Sequence, residues 1–213
     1  MPTKVIYENG PVKVLEDKEG VGLYVGDTCQ GRARIESGVI TPISPYMKAM
    51  EPVIANLVGR TGSLAKLPKA LVIGAGACII PSMLVKKGFR VDVVEPNEEM
   101  FKIADIYFNY QPHGVHYICK GEDYLGEYFE KYDVIFLDAF NGLGVVPELY
   151  NVRIYKQLTS MSNKVLINYI AKNSEEIDEN VLYIHETGIT VKRHVIHNKT
   201  PFQAVLECTN EPS

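Results

Sequence analysis

The chain has 213 residues, of which 46% are hydrophobic and 23% are charged, and its formal net charge is −4. This composition is typical of a globular protein with an apolar core. The negative charge disfavours nucleic acids and anionic membrane surfaces, so we expect neither as a partner. No apolar run approaches the ~18 residues of a membrane-spanning helix, and the N-terminal residues lack the apolar core of a signal peptide. We therefore expect a cytoplasmic protein.

Cysteine and histidine usage gives no indication of a metal centre. The four cysteines form no Cys-x-x-Cys pair, and the five histidines show no metal-ligand spacing. We therefore predict no bound metal. The cysteines are expected to be small buried hydrophobic residues in a reducing compartment.

The first 41 residues are rich in β-forming residues separated by glycine-containing turns. This pattern predicts a small antiparallel sheet of two to four strands. Ser44 and Pro45 then predict the start of a helix, and apolar residues at helical spacing follow. The polar segment 60–68 predicts a boundary between an N-terminal β-extension with its helix (residues 1–60) and a nucleoside-binding domain (residues 61–213).

From Lys69 onwards, β-rich and helix-like segments alternate. This alternation predicts an α/β fold of the Rossmann-like kind, with a mostly parallel sheet and helices on both faces. Two final β-rich runs predict a terminal antiparallel hairpin. The predicted strands are 70–73, 91–94, 116–119, 133–137, 164–170, 190–196 and 202–207, and the predicted helices are 79–87, 97–109, 124–129, 148–159 and 175–186.

A glycine turn, Gly74-Ala75-Gly76, follows the first of these strands, and Glu95 ends the next one, 21 residues after Gly74. Glycines at a strand-to-helix turn let a ligand approach the backbone, and the following helix N-terminus offers free N–H groups. An acid about 20 residues further on accepts hydrogen bonds from ribose hydroxyls. The spacing therefore predicts a pocket for a nucleoside-containing cofactor.

Further acids follow the later strands, at the sheet edge where ligands bind in such folds. Glu122 or Asp123 is a candidate acceptor for an adenine amino group. Asp138 ends an apolar strand, where burial raises a carboxyl pKa and suits a general base. Helix capping is the alternative role for each of these acids. Two glycines in the segment after Asp138, Gly142 and Gly144, indicate the backbone freedom of a lid.

These segments resemble the spermidine synthase (aminopropyltransferase) family, within the class I S-adenosylmethionine-dependent methyltransferase fold. The resemblance rests on YMKAM (46–50), ALVIGAGA (70–77), VDVVEP (91–96), GED (121–123) and YDVIFLDAFNGLGVVPELYN (132–151). It implies S-adenosylmethionine or its decarboxylated form as the cofactor, a small-molecule acceptor and a homodimer.

The resemblance also implies a role for each site residue. Glu95 would bind the ribose, and Glu122 or Asp123 the adenine. Gly74 and Gly76 would flank the amino-acid or aminopropyl tail, with Gln30 nearby. Asp138 matches the acid that deprotonates the attacking amine, and Tyr46 and Asn141 fall in the acceptor pocket.

Several positions depart from the family pattern. Ala77 stands where the family has an acid for the aminopropyl ammonium, and Asn141 replaces the second acid of the loop after Asp138. The segment 42–45 (PISP) replaces two acids that precede the tyrosine. A desolvated diamine needs carboxylate partners, so these losses argue against putrescine and favour methyl transfer over aminopropyl transfer.

Two other functions remain open from the sequence. A nicotinamide-dependent oxidoreductase would carry a third glycine where this chain has Ile79. A non-catalytic nucleoside-binding module would keep the pocket and lose the reaction, and the altered acceptor motifs are compatible with it.

Overall fold

The computed structural model describes residues 2–58, 67–140, 145–197 and 202–210, and it contains two β-sheets. The N-terminal sheet is an antiparallel meander in which each strand pairs with the next along the chain. Its strands are β1 (Lys4–Asn9), β2 (Val12–Glu16), β3 (Val21–Val25), β4 (Thr28–Glu36) and β5 (Val39–Pro42).

The fifth strand of this sheet is one more than the sequence predicts. β5 pairs with β4 through a two-residue turn in which Ser37 and Gly38 both have positive φ angles, 50° and 77°. Such a turn matches the twist of a hairpin. The strand is only four residues long and ends in Pro42, which hides it from a pattern search.

The second sheet has seven strands in the order β11-β12-β10-β9-β6-β7-β8. β10, β9, β6, β7 and β8 are parallel, and β12 and β11 join antiparallel at one edge. This arrangement confirms the predicted α/β fold with its closing hairpin. The strands are β6 (Lys69–Ile73), β7 (Arg90–Val94), β8 (His116–Tyr117), β9 (Val134–Leu137), β10 (Val165–Ala171), β11 (Thr190–His197) and β12 (Phe202–Thr209).

Six helices accompany the strands in the described part of the chain: α1 (Pro45–Val58), α2 (Ile79–Lys86), α3 (Glu98–Phe108), α4 (Gly121–Glu127), α5 (Val152–Met161) and α6 (Ser174–His185). None of them is long and apolar enough to cross a membrane. α5 begins later than predicted, because the Asn151 side chain accepts a hydrogen bond from the Ile154 N–H and caps the helix there. α4 begins earlier than predicted, at Gly121.

The two sheets pack against each other through helices of the larger one. Leu23 and Ala33 of the N-terminal sheet share a buried cluster with Ile79 of α2 and Ile103 of α3. Helix α1 buries Ile54 in the apolar layer beneath the seven-stranded sheet. The predicted boundary at residues 60 and 61 lies outside the described residues, so the division 1–60 and 61–213 stays a prediction.

Candidate active site

A cavity of about 810 Å³ lies where the carboxyl ends of the parallel strands face the N-terminal sheet. It is lined by residues of β4, the start of α1, the glycine turn, the ends of β6, β7, β9 and β10, the start of α4, the segment before α5, and β12. The lining includes the glycines Gly74 and Gly76 and the polar residues Cys29, Gln30, Tyr46, Glu95, Lys120, Glu122, Asp138, Glu148, Asn168 and Gln203.

The glycine turn is closely approached by backbone segments of the protein itself, as well as lining the cavity. Gly74 has φ 96°, and a Cβ there would lie 2.3 Å from the Asp138 carbonyl oxygen. Gly76 has φ 48°, and its Cβ would lie 2.7 Å from the Gln30 carbonyl oxygen. The two glycines therefore let the ends of β6 and β9 meet and let β4 pack onto the turn. Both still line the cavity, as predicted, and so does Gln30.

Glu95 lies at the end of β7 with both carboxylate oxygens held by backbone donors. The Ala75 N–H donates to Oε2 at 3.1 Å, and the Asn97 N–H donates to Oε1 at 3.0 Å. Burial raises the Glu95 pKa, while these two hydrogen bonds oppose the rise. The bond from Ala75 ties the acid to the glycine turn, and each oxygen keeps a lone pair for a ribose hydroxyl.

The structure distinguishes the two candidate adenine partners. Glu122 lines both the cavity and a separate surface groove that contains His116 and Tyr128, whereas Asp123 lines that groove and is absent from the cavity. Both lie in the first turn of α4, where successive side chains point in different directions. The position of Asp123 therefore does not support its predicted contact with the adenine.

Asp138 stands at the end of β9 and is the centre of a hydrogen-bonded group. The Tyr46 hydroxyl donates to its Oδ2 at 2.8 Å, and the Asn168 Nδ2 donates to its Oδ1 at 2.7 Å. Burial raises the Asp138 pKa to about 6, and these two donors limit the rise. The same carboxylate and burial raise the Tyr46 pKa, so the tyrosine stays protonated and remains a donor. A raised pKa makes the Asp138 carboxylate a stronger base than an exposed aspartate.

Three further polar residues line the cavity but were not among the candidates identified from the sequence. Asn168 is buried on β10, Gln203 lies on β12, and Glu148 lies in the segment before α5. Asn168 interrupts an apolar strand, VLINYIA, and that polar interruption was the available signal. Glu148 lies in the segment 132–151 that carries the family resemblance, whereas Gln203 carried no such signal.

Other predicted positions have mixed outcomes. Asn141 and the glycines Gly142 and Gly144 lie outside the described residues, so the acceptor role of Asn141 and the lid remain predictions. Cys78 and Cys208 are buried as expected. Cys29 instead is exposed and lines the cavity, which corrects the expectation of uniformly buried cysteines.

Comparison with known proteins identifies the fold. A polyamine aminopropyltransferase of Vibrio vulnificus (strain CMCP6) is 32% identical over 134 residues, which are 58% of this chain and 42% of that protein. The crystal structure of a probable spermidine synthase from Corynebacterium glutamicum superposes with a TM-score of 0.78 at 13% identity, over 97% of this chain and 80% of that one. No family model matches the chain.

The chain is similar to spermidine synthases in sequence and in fold. Human methyltransferase-like protein 13, in complex with SAH, shares the fold more distantly, with a TM-score of 0.64 at 20% identity over 80% of this chain and 84% of that one. The predicted spermidine synthase-like resemblance and the class I methyltransferase fold are therefore confirmed.

The names of these relatives also bear on the reaction. The Vibrio protein is named as an aminopropyltransferase, in agreement with the sequence-based prediction of a transferase, and the predicted preference for methyl transfer is not confirmed. The alignment spans less than half the length of the Vibrio protein.

Proposed function

We propose that this protein transfers an aminopropyl group from decarboxylated S-adenosylmethionine to a small primary amine. The observation that carries the proposal is the charge of the cavity. Its described lining holds four carboxylates, Glu95, Glu122, Asp138 and Glu148, against a single cation, Lys120. Lys120 also has a carboxylate neighbour, because its Nζ lies 3.9 Å from Glu122 Oε1.

This charge favours the decarboxylated cofactor. Decarboxylated S-adenosylmethionine carries a sulfonium and an ammonium and has no carboxylate, so it complements an acidic cavity. S-adenosylmethionine carries an additional carboxylate, and no lysine or arginine among the described lining residues near the glycine turn would pair with it. The acceptor amine is itself a cation when it enters.

The chemistry needs one proton transfer and one substitution. The acceptor ammonium gives a proton to the Asp138 carboxylate, and the freed nitrogen attacks the propyl carbon bonded to sulfur. A C–N bond forms as the C–S bond breaks, and the bonding electrons leave with sulfur as a neutral thioether, methylthioadenosine. An alkyl ammonium has a pKa near 10.4. Raising the Asp138 pKa from 3.8 to about 6 reduces the pKa difference between the ammonium and the carboxyl group by about two, which makes the proton transfer less unfavourable.

The site residues divide between the two substrates. Glu95 would bind the ribose, Glu122 the adenine, and the turn at Gly74 and Gly76 with Gln30 would enclose the aminopropyl tail. Tyr46, Asp138 and Glu148 would surround the acceptor. Alignment of nitrogen, carbon and sulfur in one line is the main contribution expected from the protein, since the sulfonium is already a good leaving group.

Methyl transfer from S-adenosylmethionine is the second candidate, and Ala77 favours it. This buried residue stands in the glycine turn region without an acid for the aminopropyl ammonium. The nicotinamide alternative receives no such support, because Ile79 fills the position of the third glycine with a buried side chain.

The released thioether distinguishes the candidates. Purified protein would be incubated with decarboxylated S-adenosylmethionine or S-adenosylmethionine, together with 1,4-diaminobutane or butylamine, and the products measured by mass spectrometry. We expect methylthioadenosine and an aminopropylated amine. S-adenosylhomocysteine with a methylated amine would establish methyl transfer instead. Binding of methylthioadenosine without turnover of any acceptor would support the non-catalytic module.

A further inference from the structure

Two surface features lie outside the cavity. The groove around Asp123 offers an acidic cluster, and the apolar side chains Ile118 and Phe129 are exposed, but nothing in the structure shows a ligand or partner for either. The hydrogen-bonded side chains behind Asp138 carry an inference further. They connect Asp138 to Gln203 on β12 of the closing hairpin.

We propose that Asn168 and Gln203 are positioning residues for Asp138, which hold its carboxylate in the orientation that receives the acceptor's proton. The Asn168 Nδ2 donates to Asp138 Oδ1 at 2.7 Å, and the Gln203 Nε2 donates to Asn168 Oδ1 at 2.8 Å. A third contact involves the backbone of Asn168: the Tyr150 hydroxyl donates to its main-chain carbonyl oxygen at 3.0 Å. Asn168 itself is only 2% exposed.

Strand register brings the three side chains together. β9 and β10 are parallel, and Leu137 pairs with Ile167, so Asp138 and Asn168 lie one position beyond that pair on neighbouring strands. β12 runs antiparallel to β10, with Val205 opposite Asn168, and Gln203 is two residues from Val205. Residues two apart on a strand share a face, so Gln203 is a diagonal neighbour of Asn168.

The directions of these hydrogen bonds indicate that Gln203 fixes the orientation of the Asn168 amide. A carboxylate can only accept, so Asn168 must present its NH₂ group to Asp138. If the Asn168 amide rotated by half a turn, its oxygen would face the Asp138 carboxylate oxygen. Its NH₂ group would then face the NH₂ group of Gln203. The donor on Gln203 disfavours that rotation by holding the Asn168 oxygen. Gln203 therefore acts on Asp138 through Asn168, across three strands of the sheet.

The predicted consequence is control of the basicity of Asp138. Burial raises the Asp138 pKa, and the Asn168 and Tyr46 donors oppose it. Among the described residues, Tyr46 on α1 and Tyr150 before α5 are titratable groups that interact with this carboxylate, and burial and Asp138 raise both of their pKa values. Cys29 and Glu148 are further titratable groups in the same cavity. Weakening the Asn168 donor leaves burial less opposed, so the Asp138 pKa should rise further.

The kinetic test uses Gln203→Met, which keeps the length of the side chain and removes the donor. We expect the acid limb of the pH profile of kcat/KM to move upward by about one pH unit, with kcat at pH 9 within about threefold of the wild type. The control is Gln157→Met, because the Gln157 amide donates to the Leu125 carbonyl oxygen on α4, away from the cavity. A Gln203→Met profile that superposes on the wild type, or falls equally at every pH, would overturn the proposal.

A second measurement uses the wild-type protein and needs no turnover. The side-chain NH₂ resonances of Asn168 and Gln203 would be followed by NMR as the pH is changed, beside the carboxyl carbon of Asp138. We expect all three to titrate with one midpoint, although Gln203 does not touch Asp138. An invariant Gln203 resonance would overturn the coupling. The kinetic readout rests on the proposed function, but this titration decides the coupling even if no amine is turned over.

Discussion

Replacing Asp138 by asparagine should lower activity and raise stability at the same time. Asparagine can accept from Asn168 through its oxygen and donate to the Tyr46 hydroxyl through its NH₂ group, so the local packing is retained. The base is lost, and turnover should fall by roughly 10²–10⁴, the usual range for general-base catalysis. Affinity for methylthioadenosine should not change, because Glu95 and Glu122 are untouched.

The stability gain follows from the raised pKa. Asp138 has a pKa of about 6 in the folded protein against 3.8 for an unperturbed aspartate. The folded state therefore holds this proton more tightly than the unfolded state, and ionisation at higher pH disfavours folding. The cost is fully present above pH 6 and disappears as the pH falls below 3.8. At about 1.4 kcal/mol per pKa unit, the difference between 3.8 and about 6 corresponds to about 3 kcal/mol. This value is an upper limit, because the carboxylate is partly accessible from the cavity.

Thermal unfolding at two pH values measures this effect. At pH 8, Asp138→Asn should raise Tm by up to roughly 6–12 °C, and at pH 4.5 the gain in stability should shrink to about 1 kcal/mol. Asp133→Asn is the matched control, because Asp133 lies at the opposite end of β9 and accepts a hydrogen bond from the Lys69 N–H at 2.7 Å. That control should leave turnover unchanged. An Asp138→Asn protein that melts at a lower temperature at pH 8, with full turnover per folded molecule, would refute the reasoning and make Asp138 a structural brace.

Three further predictions concern the cofactor, the acceptor and the assembly. Glu95→Ala removes the ribose acceptor and should weaken methylthioadenosine binding at least tenfold by calorimetry, and unchanged affinity would contradict the nucleoside pocket. Glu148→Gln should raise KM for 1,4-diaminobutane several-fold more than for butylamine, because only the diamine has a second ammonium to pair; equal changes would exclude that contact. The N-terminal sheet exposes Val5 and Val39, and we predict a homodimer, which a monomer mass by light scattering at high micromolar concentration would contradict.

Local sequence patterns were sufficient to predict the α/β fold and the cavity-lining residues Gly74, Gly76 and Glu95. The turn at Gly74 and Gly76 depends on backbone conformations that glycine adopts readily, and Glu95 follows at a spacing set by one helix and one strand. Asp138 was recognisable because a carboxylate directly follows four buried apolar residues. Each of these signals lies within a short stretch of chain.

The surroundings of Asp138 were decided by tertiary structure alone. Tyr46 is 92 residues from Asp138 and Asn168 is 30 residues from it, and their contacts depend on the order and register of strands. Gln203 reaches the site because β12 inserts between β10 and β11. Asp123 does not line the cavity although it neighbours Glu122, because successive side chains on a helix are rotated by about 100°. Local sequence patterns specify the secondary structure. The pairing of distant strands determines which polar side chains contact each other, and the pKa of Asp138 depends on its contacts with Tyr46 and Asn168.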